Sequence, residues 1–220
     1  MDGNGRWAQK RSLARTQGHL EGLKAARRIV QAAADFGIRY LTLYVFSTEN
    51  FKRPKSEVDF IMGLVKKHLM REIEFYKQNN IRIRHCGDSS ALGTDIADEL
   101  NKAQYDTKDF CGMQVILALN YGGRSEIERA LKRIMDKNIN CDDVNEDLIS
   151  ANLDNPDIPD PDLIIRTAGE YRISNFLLWQ VAYSEFYISD QLWPDFNEDS
   201  LLAALENYAK RNRRFGAVTK

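Results

Sequence analysis

Five runs rich in β-branched and aromatic residues recur along the chain, at residues 38–46, 81–86, 113–121, 163–167 and 186–189. Helical periodicity fills most of the stretches between them. Runs that stay apolar, rather than alternating with polar residues, belong to strands buried on both faces. Such strands, interleaved with helices, call for parallel pairing under crossover connections. The expected fold is therefore α/β: a single domain over residues 1–220, with a central, mostly parallel β-sheet flanked by helices. The first helix is expected over 17–36, where Leu20, Leu23, Ala26, Val30, Ala33 and Phe36 recur near helical spacing and Gly37 supplies a C-terminal stop. Further helices are expected near 57–79, 94–106, 125–137, 145–153 and 198–213.

The 220 residues, 43% of them hydrophobic, suffice for one large core. Cys86, Cys111 and Cys141 form an odd, widely spaced set, which supports neither a disulfide framework nor a zinc knuckle and reads as inert packing residues in a reducing cytoplasm. No apolar run reaches the roughly 18 residues of a membrane span, and the N-terminus lacks a signal peptide's apolar core. The formal net charge of −1 hides an asymmetry. Residues 1–30 carry seven basic side chains against Asp2 and Glu21, whereas residues 141–162 carry eight acids and no base. The head of the chain thus attracts anions. It shows neither a helix-turn-helix nor basic and aromatic residues at recognition spacing, so no nucleic-acid partner is expected.

In open α/β sheets ligands collect where strands end and helices begin, and four such turns are unusually polar. The first is the opening loop Met1-Asp2-Gly3-Asn4-Gly5-Arg6-Trp7-Ala8, expected to precede any helix. Its glycines let backbone N–H groups approach a ligand, Arg6 offers a fork for phosphate oxygens and Asp2 is a hard oxygen ligand suited to Mg²⁺. An ordinary glycine turn is the competing reading. Arg15 and Gly18-His19 follow at the front of the first helix, where the dipole favours an anion.

The second turn, Phe46-Ser47-Thr48-Glu49-Asn50-Phe51-Lys52-Arg53-Pro54, reads as a polar lid. Ser47 and Asn50 would hydrogen-bond a leaving group, Arg53 would neutralise it and Phe51 would close over an apolar substrate; Ser56-Glu57 equally suits a helix cap. The third, Asn120-Tyr121-Gly122-Gly123-Arg124-Ser125, has glycines that need do no more than permit close packing. The fourth runs from Asp162 to Phe176. There Arg166 and Arg172 would converge on one diphosphate through an intervening glycine turn, with Ser174 as an added donor and Glu185 further on as a second metal ligand.

Met1-Asp2-Gly3-Asn4-Gly5-Arg6-Trp7-Ala8, Phe46-Ser47-Thr48-Glu49-Asn50, Asn120-Tyr121-Gly122-Gly123-Arg124, Ile165-Arg166-Thr167 and Arg172-Ile173-Ser174-Asn175-Phe176-Leu177-Leu178-Trp179-Gln180 resemble, in order and nearly end to end, the signature blocks of cis-prenyltransferases of the bacterial undecaprenyl diphosphate synthase type. The resemblance implies repeated cis condensation of isopentenyl diphosphate onto farnesyl diphosphate, to make the lipid carrier of cell-wall assembly. By similarity Asp2 and Asn50 are the catalytic residues. Gly3, Asn4, Gly5, Arg6, Trp7, Arg15, His19, Ser47, Thr48, Glu49, Phe51 and Arg53 would bind the allylic diphosphate, with Arg53 and Glu57 in a mobile loop. Arg166, Arg172 and Ser174 would seat isopentenyl diphosphate, and Asp2 and Glu185 would hold Mg²⁺. Val45, Ile61, Leu64, Val65, Leu69, Val115 and Leu117 would wall an apolar tunnel, though such a stripe is also ordinary core. A homodimer is implied by the tail motif Arg214-Phe215-Gly216. A cytoplasmic location is implied too, with peripheral contact at the inner face of the plasma membrane for product release.

The chain departs from the family pattern in three places. The resemblance implies a strand with a histidine just before the Asp-Gly-Asn-Gly block, and this sequence, which starts at Met1, is expected to be either truncated there or without that strand. Tyr171 stands where some members have a metal-binding histidine, and Val45 stands where a smaller alanine is common, which would narrow the tunnel. A shorter-chain cis-prenyl diphosphate synthase and a non-catalytic scaffold subunit of the same fold are the alternatives. The acidic run Cys141-Asp142-Asp143-Val144-Asn145-Glu146-Asp147 is read as a cap and a solvated face rather than a metal motif.

Overall fold

The computed structural model describes residues 1–213; the tail motif at 214–216 lies outside them. The chain divides into two compact units, one comprising Ala34–Pro159 with Ser174–Leu178, the other Met1–Ala33, Asp160–Ile173 and the chain from Trp179 onward.

The larger unit contains β1 (Tyr40–Ser47), β2 (Arg82–Cys86) and β3 (Gln114–Tyr121), with α3 (Lys55–Gln78), α4 (Thr94–Asp106), α5 (Gly123–Met135) and α6 (Glu146–Ser150). The strands pair in the order β1-β3-β2, all parallel. As the central strand, β3 is buried from Val115 through Tyr121, as an uninterrupted apolar run demands. Register puts Leu117 between Leu43 and His85 on one face, and Ala118 between Tyr44 and Cys86 on the other. The ladder distorts only at its C-terminal end. Val45 is skipped between the Tyr44↔Ala118 and Phe46↔Leu119 pairs, and Asn120 is skipped before Ser47↔Tyr121, with a left-handed φ of 48°. Such bulges re-aim the side chains that follow.

Thr107, fully buried after α4, ties that helix to β2: its hydroxyl donates to the Ala103 carbonyl (2.8 Å) and accepts from the Ile83 amide (2.9 Å). On α3, Val58, Ile61, Met62, Val65, Leu69 and Tyr76 are buried, while Leu64 is half-buried. This apolar stripe packs mainly on α4, flanked by the Lys66–Asp95 ion pair (2.7 Å). Asn145 caps α6 by accepting from the Leu148 amide (2.9 Å), and Asn140 caps the short turn at Cys141–Asp143, so the acidic run is a pair of caps as expected.

The smaller unit holds α1 (Asn4–Lys10), α2 (Arg15–Asp35), the parallel pair β4 (Leu163–Arg166) and β5 (Glu185–Ile188), and α7 (Glu198–Ala209). Two expectations need correction here. The opening glycine segment is not a loop before all helices: Gly3, at φ 111°, is the left-handed residue from which α1 starts at once. The buried face of α2 is built from Gly18, Gly22, Ala25, Ala26, Ile29, Val30, Ala32 and Ala33, while Phe36 is exposed beyond its end. Glycine is required at positions 18 and 22 because Asn4 lies against both. A methyl at Gly18 would sit 2.0 Å from the Asn4 carbonyl oxygen, and one at Gly22 would sit 2.4 Å from Asn4 Oδ1. Among the described residues the strands form two ladders, of three and two strands, both parallel as the expected α/β class requires. Gly37 ends the first long helix at φ 75°, as expected. Of the cysteines only Cys86 is a packing residue, since Cys111 and Cys141 are exposed. No helix among the described residues is long and apolar enough to cross a membrane.

Candidate active site

In the smaller unit the segment before α1 meets the turn after β4. Thr167 is buried, donates its hydroxyl proton to the Asp2 carbonyl oxygen (2.8 Å) and accepts from the Asp2 amide (3.1 Å). The Trp193 amide donates to the same carbonyl (3.0 Å). With its backbone so held, the half-buried Asp2 carboxylate faces three guanidinium groups. Arg166 Nη2 lies 3.2 Å from it, Arg6 Nη2 3.5 Å and Arg172 Nη2 3.9 Å. Ala168 and Gly169, at φ 71° and 66°, turn the chain back so that Glu170 comes under the same cations. Glu170 pairs with Arg6 Nη1 (2.9 Å) and with Arg172, while Arg166 also donates to the Arg172 carbonyl oxygen. Three guanidiniums thus face two carboxylates, leaving a surplus positive charge at a partly open site.

Burial pushes the Asp2 carboxyl's pKa up, but the Arg166 hydrogen bond and the charges of Arg6 and Arg166 outweigh it and hold the group below the ordinary aspartate value. Asp2 is therefore ionised at neutral pH. The Arg15 guanidinium overlies Gly5, with Cζ 3.2 Å from where a β-carbon would stand. His19 is half-buried on α2. Trp7 Nε1 donates to Asp195 (2.6 Å), with the Arg11 guanidinium 4.1 Å over its ring. Asn4 Oδ1 is buried with no hydrogen-bond partner among the described residues.

The structure does not bring Glu185 to this cluster. It pairs with Leu163 at the start of the β4–β5 ladder, whereas Arg166 pairs with Ile188 at its end. Three residues at about 3.3 Å each put Glu185 roughly 10 Å away along the strands. Its carboxylate is taken by Arg211 (2.8 Å). Tyr171 is exposed and Arg213 pairs with Asp162.

In the larger unit, the turn after β1 is a short 3₁₀ segment, Thr48–Lys52. Asn50 Oδ1 accepts from the Ser47 amide (3.2 Å), which commits the acceptor end of its side-chain amide. Glu49 accepts from Asn175 Nδ2 (2.7 Å). Burial raises its pKa, but its own backbone and the Asn175, Ser47 and Thr48 side chains hold it below the usual glutamate value. Phe51 is exposed and meets buried Phe46 edge-on at 4.9 Å. Arg53 pairs with Glu57 (3.2 Å) on α3, which starts after Pro54, so Ser56 is not its cap. The glycines of the third turn do permit close packing: a methyl at Gly122 would lie 2.6 Å from Asn175 Nδ2 and 2.7 Å from Thr48 Oγ1.

A second acidic cluster lies deeper in this unit. The potential ligand atoms of Cys86, Glu126 and Asp154 lie within 4.8 Å of one another. Each carboxylate is already engaged. Glu126 accepts from the Tyr121 hydroxyl (2.5 Å) and the Asp154 amide (3.1 Å). Asp154 pairs with Arg129 and with Arg133 (2.9 Å), and accepts from the Gly87 amide (2.9 Å). Burial, with the charges of Glu126 and Asp154, pushes the Cys86 thiol far above the thiolate range, so it is a poor metal ligand. This is a closed structural network.

Sequence reasoning missed Glu170, Thr167, Asn175 and this network. Of these, only Glu170 carried a local signal, a carboxylate directly after a glycine between two arginines.

Residues 1–216 match a family described as "Putative undecaprenyl diphosphate synthase". The isoprenyl transferase of Treponema denticola is 52% identical over 98% of this chain and 94% of its own length. That of Bacillus subtilis is 49% identical over 99% and 85%. Among solved structures, lavandulyl diphosphate synthase from Lavandula x intermedia, in complex with dimethylallyl diphosphate, superposes with a TM-score of 0.94 at 36% identity, covering 98% of this chain and 95% of that one. A probable undecaprenyl diphosphate synthase from Campylobacter jejuni gives 0.81 at 37% identity, covering 89% and 92%. The α/β fold is that of a prenyltransferase. The chain belongs to the undecaprenyl diphosphate synthase family.

Proposed function

We propose that the chain condenses isopentenyl diphosphate repeatedly with farnesyl diphosphate in cis configuration, giving undecaprenyl diphosphate for bacterial cell-wall synthesis, and that it acts as one catalytic domain. The observation that carries this reading is the gathering of Arg6, Arg166 and Arg172 on one ionised, half-exposed carboxylate in a chain of this family. In each cycle the allylic C1–O bond breaks and diphosphate leaves with the electron pair. C1 bonds to the terminal alkene carbon of isopentenyl diphosphate, and a proton is lost to form the new double bond. Arg6, Arg15, His19 and the backbone of Gly3, Asn4 and Gly5 would hold the allylic diphosphate, with Trp7 beside it. Cations fixed before the reaction stabilise charge as it develops on the leaving oxygens. Arg166, Arg172 and Ser174 would seat isopentenyl diphosphate.

Ser47 and Asn50, supported by Thr48, Glu49, Phe51 and Arg53, would assist departure and proton removal. Apolar side chains of α3 (Ile61, Leu64, Val65, Leu69) and of the sheet (Val45, Val115, Leu117) would accept the growing chain. Asp2 suits Mg²⁺, which favours one or two carboxylates plus substrate phosphates. When bound, the ion supplies positive charge to the diphosphate oxygens. Glu185, the second acid expected to hold the ion, would first have to release Arg211.

The exposed apolar residues Phe186 on β5 and Leu202 on α7 suit a homodimer. The absence of a spanning helix among the described residues suits a cytoplasmic enzyme that touches the inner face of the plasma membrane only to release its apolar product. The test is incubation with Mg²⁺, farnesyl diphosphate and labelled isopentenyl diphosphate, with products resolved by length and EDTA as control. A ladder ending at the undecaprenyl product is expected; a shorter limit would favour the narrowed tunnel at Val45, and no elongation would leave the scaffold reading.

A further inference from the structure

Residues 174–178 belong to the larger unit although the chain on either side belongs to the other. They are held there with unusual care. Ser174, Asn175 and Leu177 all adopt left-handed backbone, at φ 49°, 62° and 44°. Non-glycine residues rarely accept this conformation, and asparagine does so best. Phe176 stacks on Tyr44 at 4.5 Å and meets Tyr121 edge-on at 6.2 Å, which anchors the segment over the ends of β1 and β3. Leu178 fills the space a side chain at Gly123 would need.

Asn175 uses both ends of its amide and its backbone. Its carbonyl oxygen accepts from the Gly123 amide (2.7 Å), and its Oδ1 accepts from the Arg124 amide (2.9 Å). These are N–H groups of the first turn of α5, which have no partner inside their own helix. Its Nδ2 donates to Glu49 (2.7 Å), the residue next to Asn50. The contact is possible only because residue 122 has no side chain.

We propose that Asn175 is a positioning residue for the condensation: it clamps the Thr48–Lys52 turn to the start of α5 and so fixes the direction in which the Asn50 amide points. The inference rests on the function proposed above and deepens it. Only asparagine combines a tolerated left-handed backbone, an acceptor for the helix and a donor for Glu49. Aspartate keeps the first two and reverses the third, setting a carboxylate against a carboxylate. Glu49→Gln restores a donor–acceptor pair with the polarity exchanged.

Three measurements test this. Asn175→Asp is expected to lower kcat by about tenfold to a hundredfold, the scale of a small misplacement of a reacting group, with KM for isopentenyl diphosphate within about threefold. The double variant Asn175→Asp/Glu49→Gln is expected to turn over at least about ten times faster than Asn175→Asp alone, the mark of direct coupling. Amide exchange in the Ser47–Lys52 stretch, followed without substrate, is expected to speed up in Asn175→Asp and slow again in the double variant. Should Asn175→Asp fail to fold, Asn175→Gly, which keeps the backbone and removes the side-chain bonds, is expected to show the same kcat loss and faster exchange. Unchanged kcat in the folded variant, or a double variant no better than Asn175→Asp, overturns the proposal. A wild-type chain that elongates nothing defeats the proposed function instead, and the exchange experiment still decides whether Asn175 positions the turn.

Discussion

Two clusters in this protein share a composition and differ in what they can do. Around Asp2 and Glu170 stand Arg6, Arg166 and Arg172; around Glu126 and Asp154 stand Arg129 and Arg133. In the second, the Asp154 side chain is 5% exposed and its oxygens accept from two guanidiniums and a backbone amide. Buried charge persists only when it is matched in this way, and a matched pair has nothing left to offer a ligand. In the first, Asp2 is 35% and Arg172 58% exposed, the contacts to Asp2 run from 3.2 to 3.9 Å, and positive charge is in surplus. The Asp2 pairs, long and partly solvated, exchange partners at little cost. On the function proposed above, an incoming diphosphate would take guanidiniums from Asp2, which the closed network would not allow. Acid and base content does not distinguish a site from a structural knot; saturation does.

The sharpest way to break this contrast is to remove one carboxylate from each cluster. Asp2→Ala is expected to lower kcat/KM by about 10³-fold or more while leaving the melting temperature within about 2 °C. Steady-state kinetics and calorimetry read the two effects, and full activity would remove Asp2 from the machinery. Asp154→Ala is expected to do the reverse, costing about 3–5 kcal/mol of unfolding free energy by leaving Arg129 uncompensated, with kcat in the remaining folded protein nearly unchanged. Denaturant titration measures it. Next in size, Arg166→Lys is expected to raise KM for isopentenyl diphosphate by about tenfold, because an ammonium cannot replace a planar fork.

A smaller effect follows from screening. Raising KCl from about 50 to 500 mM shortens the Debye length severalfold, so KM for both diphosphates is expected to climb a few-fold while the buried network, read through thermal unfolding, barely responds. The smallest concerns His85, whose Nε2 meets the Leu119 carbonyl (2.9 Å) beside the closed network. Burial first, with the nearby Arg129 charge, holds its pKa below the ordinary 6.5. The folded state therefore resists a proton that the unfolded state accepts, so this contribution is present above about pH 6.5 and is lost as pH falls. The melting temperature is expected to drop between pH 7.5 and 5.5, and to drop less in His85→Gln.

Much of this architecture was legible in local pattern. Unbroken apolar runs and helical periodicity located the five strands of the described residues and the main helices, because a strand buried on both faces and a helix buried on one leave different spacings. Arg166 was recognisable as a cation leaving an apolar strand, and Asp2 and Arg6 as polar residues beside glycines. The start of α1 was missed because the glycines that suggested a loop also permit the left-handed entry at Gly3 and the packing against α2. Glu185 was picked out by residue type alone, while its place at the start of the β4–β5 ladder, opposite Leu163, is a matter of register.

The sequence by itself determined the α/β class, the parallel pairing and the stock of cationic side chains, since these depend on residue type and near-neighbour spacing. Only the tertiary structure decided which acids the arginines meet, which of two similar clusters is saturated and why Asn175 stands where it does. Those outcomes depend on contacts between residues far apart in the chain, from 21 positions for Asp154 with Arg133 to more than a hundred for Asp2 with Arg166 and Glu49 with Asn175, and no local periodicity encodes a distance of that kind.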